Sequence, residues 1–373
     1  EVWKLRGVPD DPAAWLYRTA KNRALDVLRR ERTARTFAPE LGRLLQTEWT
    51  LATAVEELLD PTDIGDDQLR LIFSCCDPRL AEATQVMLVL QLIGGFGARE
   101  VAAAFVTTQS AVEKRLTRAK HLLAGSGRLF DIADAADFGR RLPLVQRSLY
   151  LIFSEGYHGA SRRAVVRGEL CNEAIRLTRI LAEHPLGADP STLALCALMH
   201  LNAARLPARL DDAGNLSSLF DQDRSRWDRA LIARGRDWLE RSASGSQVSR
   251  YHIEAAIANE HAVAETFQRT DWETIVALYD RLMDLAPSPV VALNRAIAIA
   301  QLLGPQRGLN AIEAIAGRER LARYPFYHAA RGELELRCAD GAGARRSFEA
   351  ALALARNAAE RRFLENRLAS TSA

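Results

Sequence analysis

Long apolar runs are missing from this 373-residue chain. No stretch approaches the roughly 20 residues that a membrane span needs. Nor do the first residues, EVWKLRGVPDD, hold an apolar signal core or a cleavage site, so a cytoplasmic protein with no membrane partner is expected. Cysteine is scarce: Cys75, Cys76, Cys171, Cys196 and Cys338 are odd in number and, apart from one adjacent pair, widely scattered. That pattern excludes a disulfide framework and favours buried, reduced thiols over metal ligands, so no metal is expected. The β-branched alternation of strands is nearly absent. There is no glycine-rich phosphate loop, no HExxH and no nucleophile elbow, and no cofactor is expected. The net charge of +3 is too small to announce a nucleic-acid binder.

What is present is abundant alanine and leucine in helical periods, with 48% hydrophobic and 26% charged residues, as in an ordinary globular protein. The expected fold class is all-α. The charges are unevenly placed. Arg18, Lys21, Arg23, Arg29, Arg30, Arg32 and Arg35 crowd an early helix opened by Asp11 or Asp10 with Pro12. From Glu40 to Glu82 acidic residues dominate, and cations return at Lys114 to Lys120. Two cationic modules joined by an anionic connector fit this order.

Residues Ala98 to Leu123, AREVAAAFVTTQSAVEKRLTRAKHLL, read as two short helices joined by a tight turn, with Val106 where glycine is often found. Val101, Ala102 and Phe105 give the first an apolar side, and Thr108 is a natural N-cap for the second. There Val112, Leu116, Ala119 and Leu123, at steps of four, three and four, form a core stripe. Ser110, Glu113, Lys114, Thr117 and Arg118 project from the other side. Such a helix fits the major groove, its first turns on base edges and its later cations on phosphates.

The early helix DPAAWLYRTAKNRALDVLRRERTAR, together with AREVAAAFVTTQSAVEKRLTRAK, resembles regions 2 and 4 of the sigma-70 superfamily, specifically the extracytoplasmic-function (ECF) sigma factors. Trp15, Leu16, Asn22, Asp26, Arg29 and Arg30 stand where the region 2 helix carries such residues. Val112, Lys114, Arg115, Leu116, Arg118 and Ala119 match the −35 helix. LRLIFSCCDPRL (Leu69 to Leu80), LYLIFSEGY (Leu149 to Tyr157) and DQDRSRWDRALIARG (Asp221 to Gly235) resemble the subgroup with a long tetratricopeptide-like C-terminal extension.

The resemblance implies a sigma factor that directs transcription initiation by recognising −35 and −10 promoter elements. Its partners would be core RNA polymerase and promoter DNA, and its helical C-terminal domain would modulate activity through an intramolecular or protein partner. For the −10 region it implies Arg18, Lys21, Asn22, Arg23, Arg29 and Arg30. For the −35 region it implies Thr108, Gln109, Ser110, Glu113, Lys114, Arg115, Arg118 and Lys120, with Gln109, Ser110, Glu113 and Lys114 near base edges and Arg115, Arg118 and Lys120 near phosphates. An ion pair within its own module is the alternative for Arg115. The sequence starts after the family's helices 2.1 and 2.2, so a shortened chain or a misplaced start is expected, with weakened polymerase affinity.

The expected organisation is a partial sigma region 2 (1–37), an acidic linker (38–66), a helix-turn-helix region 4 (67–124), a linker (125–138) and the extension (139–373). Within the extension, Ile275, Tyr279 and Leu282, then Gly308, Ile312 and Ile315, then Ala344, Phe348 and Ala351 recur near the tetratricopeptide period of about 34. Two other functions are open. One is a protein-binding adaptor or another helix-turn-helix regulator. The other is an enzyme using Glu155, Tyr157 and His158 or Asp221 and Asp223. The favoured reading of Asp221, Asp223, Arg224, Arg226 and Asp228 is an ion-pair network capping helices around Trp227, and no enzymatic activity is expected.

Overall fold

The computed structural model describes residues 64, 66–105, 107–124, 134–158, 166–212 and 214–372. Among them the chain forms fifteen α-helices and four short 3-10 turns and no strand, so the fold is all-α. No described helix is long and apolar enough to cross a membrane. The described residues divide into two compact units. One runs up to Ser148 and includes His184–Leu186; the other comprises Leu149–Glu183 and the chain from Gly187 on. The division falls inside one helix, α5 (Ala135–His158), whose first half contains Gly139.

The first unit contains α1 (Asp67–Cys75), α2 (Glu82–Leu92), α3 (Ala98–Ala104), α4 (Gln109–Ala124) and the first half of α5. Asp66 starts α1 by accepting the Gln68 and Leu69 N–H groups at 3.0 and 2.9 Å. Leu69, Ile72 and Phe73 are fully buried, and Phe73 packs on Phe138 of α5 with ring centres 4.6 Å apart. Arg141 donates to the Phe73 carbonyl at 3.2 Å while pairing with Asp137 at 2.7 Å, which ties α5 to the end of α1. The turn after α1 is held by Asp77, which accepts from the Arg79 guanidinium at 2.6 Å, and by Gln85, which donates to the Asp77 and Leu80 carbonyls. The LRLIFSCCDPRL stretch is therefore a packing and turn element. Its two cysteines are buried free thiols, as are Cys171 and Cys196, and Cys338 is half-buried and free.

The second unit is built around α7 (Pro190–Ala203), which Asp189 caps through the Ser191 N–H at 3.0 Å. Every residue from Thr192 to Leu201 is buried, as expected of a helix apolar all round. It packs against α6 (Gly168–Glu183), α8 (Arg229–Ser242) and α9 (Arg250–Val263). Contact with α8 depends on Gly235, where an added Cβ would stand 2.7 Å from Leu201 Cγ and 3.2 Å from its backbone nitrogen. Gly235→Ala is expected to destabilise the protein by about 2 kcal/mol, because the backbone must move apart. A urea midpoint equal to that of the parent would contradict this close approach.

From α9 onward the helices form three successive hairpins: α9 with α10 (Trp272–Leu285), α11 (Pro289–Leu303) with α12 (Pro305–Glu313), and α13 (Pro325–Arg337) with α14 (Gly341–Ala353). A last helix, α15 (Ala358–Ala369), packs on α14. The recurring triples fall on the second helix of each hairpin or just past its end. Ile275, Leu282, Ile312, Ile315, Ala344, Phe348 and Ala351 are buried, and Tyr279 is half-buried. Gly304 turns α11 into α12 at φ 92°, and Asp340 caps α14 through the Gly343 N–H at 2.8 Å.

His261, near the end of α9, is 8% exposed, and burial, with Arg205 and Arg224 nearby, pushes its pKa down to about 3. An unfolded histidine binds its proton near pH 6.5, as a rough reference. The folded state is therefore fully favoured above that pH and loses stability as pH falls toward 3. Urea unfolding at about pH 7 and about pH 5 should give the lower midpoint at the acid value, and His261→Gln should narrow the gap. An unchanged gap would assign the effect to other groups.

Candidate nucleic-acid interface

The α3–α4 pair has the expected inside and outside. Val112, Leu116, Ala119 and Leu123 of α4 are between 0% and 7% exposed, and Val101 and Ala102 of α3 are buried beside them. The Thr108 hydroxyl accepts the Ala111 N–H at 3.2 Å and the Thr108 carbonyl the Val112 N–H at 3.1 Å, so the cap is formed as its chemistry dictates. At the start of α3 the Glu100 carboxylate accepts the Gly97 N–H at 2.9 Å.

Opposite the core stripe, Ser110, Glu113, Lys114, Thr117, Arg118 and His121 are exposed, and Thr108 and Gln109 are exposed at the N-terminal end. The Gln109 amide donates to Glu113 at 2.8 Å and the Thr117 hydroxyl to the Glu113 carbonyl at 2.9 Å. Lys114 and Arg118 have no ion pair among the described residues. Neither does Arg115, so the alternative ion pair for it is not formed. Elsewhere arginines close on carboxylates one turn away, as in Arg250–Glu254 at 2.6 Å, Arg331–Glu335 at 2.7 Å and Arg356–Glu360 at 2.6 Å.

Lys120 differs from the other cations. At 3.6 residues per turn it lies on the flank of α4 opposite Arg115, and it is half-buried. Burial holds its ammonium below the usual lysine range, partly offset by Cys75 of α1. It therefore belongs to the edge of the core more than to the cation face. The expected −10 residues Arg18, Lys21, Asn22, Arg23, Arg29 and Arg30 lie outside the described residues, as does Val106 of the turn.

Of the carboxylates raised as enzyme candidates, Asp221 and Asp223 are used structurally, as is Asp228 beside them. Asp223 accepts the Ser225 N–H at 2.9 Å, Asp228 the Leu231 N–H at 3.0 Å and Asp221 the Ser218 hydroxyl at 2.6 Å. Trp227 is buried as expected. The expected ion-pair network is not formed: Arg226 pairs with Asp212 at 3.2 Å, and Arg224 donates to the His261 and Ala264 carbonyls, both at 2.7 Å. Helix end carbonyls lacking intrahelical donors draw the guanidinium away from its sequence neighbours. No group of three or more His, Cys, Asp or Glu that could hold a metal occurs among the described residues.

Residues 141–243 match a family of unknown function, DUF6596. Over 368 residues, 98% of this chain and 85% of the relative, the chain is 39% identical to the uncharacterized protein R00370 of Rhizobium meliloti (strain 1021). The chain belongs to the family of R00370. No solved structure matches it. The DUF6596 segment takes in α6, α7, α8 and most of α5, whereas the R00370 similarity also spans α3 and α4.

Proposed function

We propose that this protein is a promoter-recognition subunit of bacterial RNA polymerase of the extracytoplasmic-function sigma type, with α4 as its −35 reader. The observation that carries the reading is the exposed face of α4, where Lys114, Arg115 and Arg118 have no ion pair among the described residues. Cations left unpaired on an exposed helix in an arginine-rich, heavily ion-paired chain suit phosphate contact. Ser110, Gln109 and Lys114 at the helix start then meet base edges. The three hairpins support a tetratricopeptide-like extension that modulates the sigma modules by binding them or a protein partner. The function is binding, without bond chemistry.

The test is to mix core RNA polymerase with the purified protein expressed from its whole gene, recover the complex and map transcription starts on genomic DNA. Starts sharing one −35 motif are expected, and the motif should alter when Ser110 and Lys114 are exchanged. Neither association with polymerase nor specific starts would defeat the reading. A protein-binding adaptor, favoured by the hairpins alone, would instead bind DNA weakly and with little response to salt.

A further inference from the structure

An open cleft of about 450 Å³ lies within the second unit, lined from α6, α7 and α8 by Arg179, His200, Ala233, Arg234, Asp237 and Trp238. Its volume is that of a small-molecule site. Arg234, Asp237 and Trp238 share one face of α8 at helical spacing, and the close approach at Gly235 holds that helix against α7.

The floor of the cleft holds a polar atom without a partner. His200 is 3% exposed. Its Nδ1 lies 2.8 Å from the Cys196 carbonyl, which can only accept, so the neutral ring carries its proton on Nδ1 and a lone pair on Nε2. Burial holds the ring below the usual histidine range, the Cys196 carbonyl offsets part of this, and the fields of Arg234 and Arg179 add to the depression. Nε2 has no hydrogen-bond partner among the described residues. Nor is it sealed, as the Nδ1 of His261 and the Nε1 of Trp227 are: it is the ring atom left to the cleft.

Around this acceptor the wall is cationic. Arg234 is exposed and has no ion pair among the described residues. Arg179 meets Glu183 only at 3.8 Å and Arg241 meets Asp237 only at 3.7 Å, too far for hydrogen bonds, so the Arg179 donors stay free. One carboxylate, Asp237, lines the cleft against two guanidiniums. A smaller cleft of about 290 Å³ beside Arg318 and His328 has no such vacancy, because the His328 Nε2 is 2.9 Å from the Ala322 carbonyl.

The matching group offers anionic oxygens to the guanidinium forks and a proton to Nε2. Carboxylate and sulfate have no proton to give near neutral pH, whereas a singly protonated phosphate has both. We propose that this cleft binds the phosphate group of a small molecule, its charged oxygens on Arg234 and Arg179 and its P–OH donating to His200 Nε2. The volume exceeds what a bare phosphate fills and leaves room for an organic remainder. All six lining residues fall within the DUF6596 segment.

Calorimetric titration of the full chain at about pH 6.5, where a sizeable share of a phosphate monoester keeps its proton, tests this with inorganic phosphate, glucose 6-phosphate and sulfate in separate arms. Saturable one-site binding with a Kd of about 1 mM or tighter is expected in at least one phosphate arm, and the tighter arm tells free ion from ester. Sulfate should bind at least about tenfold more weakly, having no proton for Nε2. Arg234→Gln should weaken phosphate binding by about tenfold and leave the melting temperature unchanged, since the side chain is exposed and unpaired. Asp237→Asn should tighten it by about threefold, because it removes a repulsion and releases Arg241. No saturable binding in either phosphate arm, sulfate bound as tightly as phosphate, or an affinity that Arg234→Gln leaves unchanged overturns the proposal.

Discussion

Reversing charge at Lys114 and Arg118 together (Lys114→Glu, Arg118→Glu) should weaken binding to a −35 duplex by about a hundredfold while leaving the melting temperature unchanged. Both side chains are exposed, and neither is engaged by a carboxylate among the described residues, so folding loses no partner with them. Reversal at Arg118 removes a phosphate contact and reversal at Lys114 a base-edge contact, each adds a repulsion, and the two sit one turn apart on the same face of α4. The comparison is Glu113→Gln, which removes the one carboxylate on that face and should tighten binding a few-fold. Gel-shift affinities of the three proteins at one salt concentration decide the matter, with circular dichroism as the folding control. A double variant that binds as the parent does would take α4 out of the interface.

Arg224→Met should be the most destabilising single substitution of a charged residue in the second unit, costing about 3–5 kcal/mol. Arg224 is 7% exposed and holds the end of α9 through the His261 and Ala264 carbonyls, with a third bond to the Thr270 hydroxyl at 3.1 Å. Its guanidinium also lies 4.9 Å from the Trp227 ring centre. Methionine fills much of the volume but leaves two carbonyls at a helix end without their donor. Arg224→Lys retains one donor group and should recover part of the loss. Urea unfolding of the three proteins measures this, and a loss below about 1 kcal/mol for the methionine variant would mean that water replaces the guanidinium at little cost.

What could be read in the sequence was what depends on near neighbours. The stripe Val112, Leu116, Ala119 and Leu123 follows from the helical period, and the Thr108 cap from a hydroxyl three residues before the N–H it accepts. The same holds for the recurring triples of α10, α12 and α14. What escaped depends on distant partners. Lys120 looked like its neighbours Lys114 and Arg118 until the fold set Cys75 beside it. Arg224 stands among aspartates in the sequence, yet its acceptors lie 37 to 46 residues onward. Arg209 carries no local signal either: the tyrosine under it is 52 residues upstream.

The central claim is that the α4 face meets nucleic acid through its unpaired cations. Its most direct test is the affinity of the full chain for a −35 duplex as a function of salt. With Arg115 and Arg118 on phosphates, log K should fall against log salt with a slope of about −2, and Arg118→Gln should reduce that slope by about one. An affinity flat across low to moderate salt, or a slope that Arg118→Gln leaves unchanged, would contradict the account.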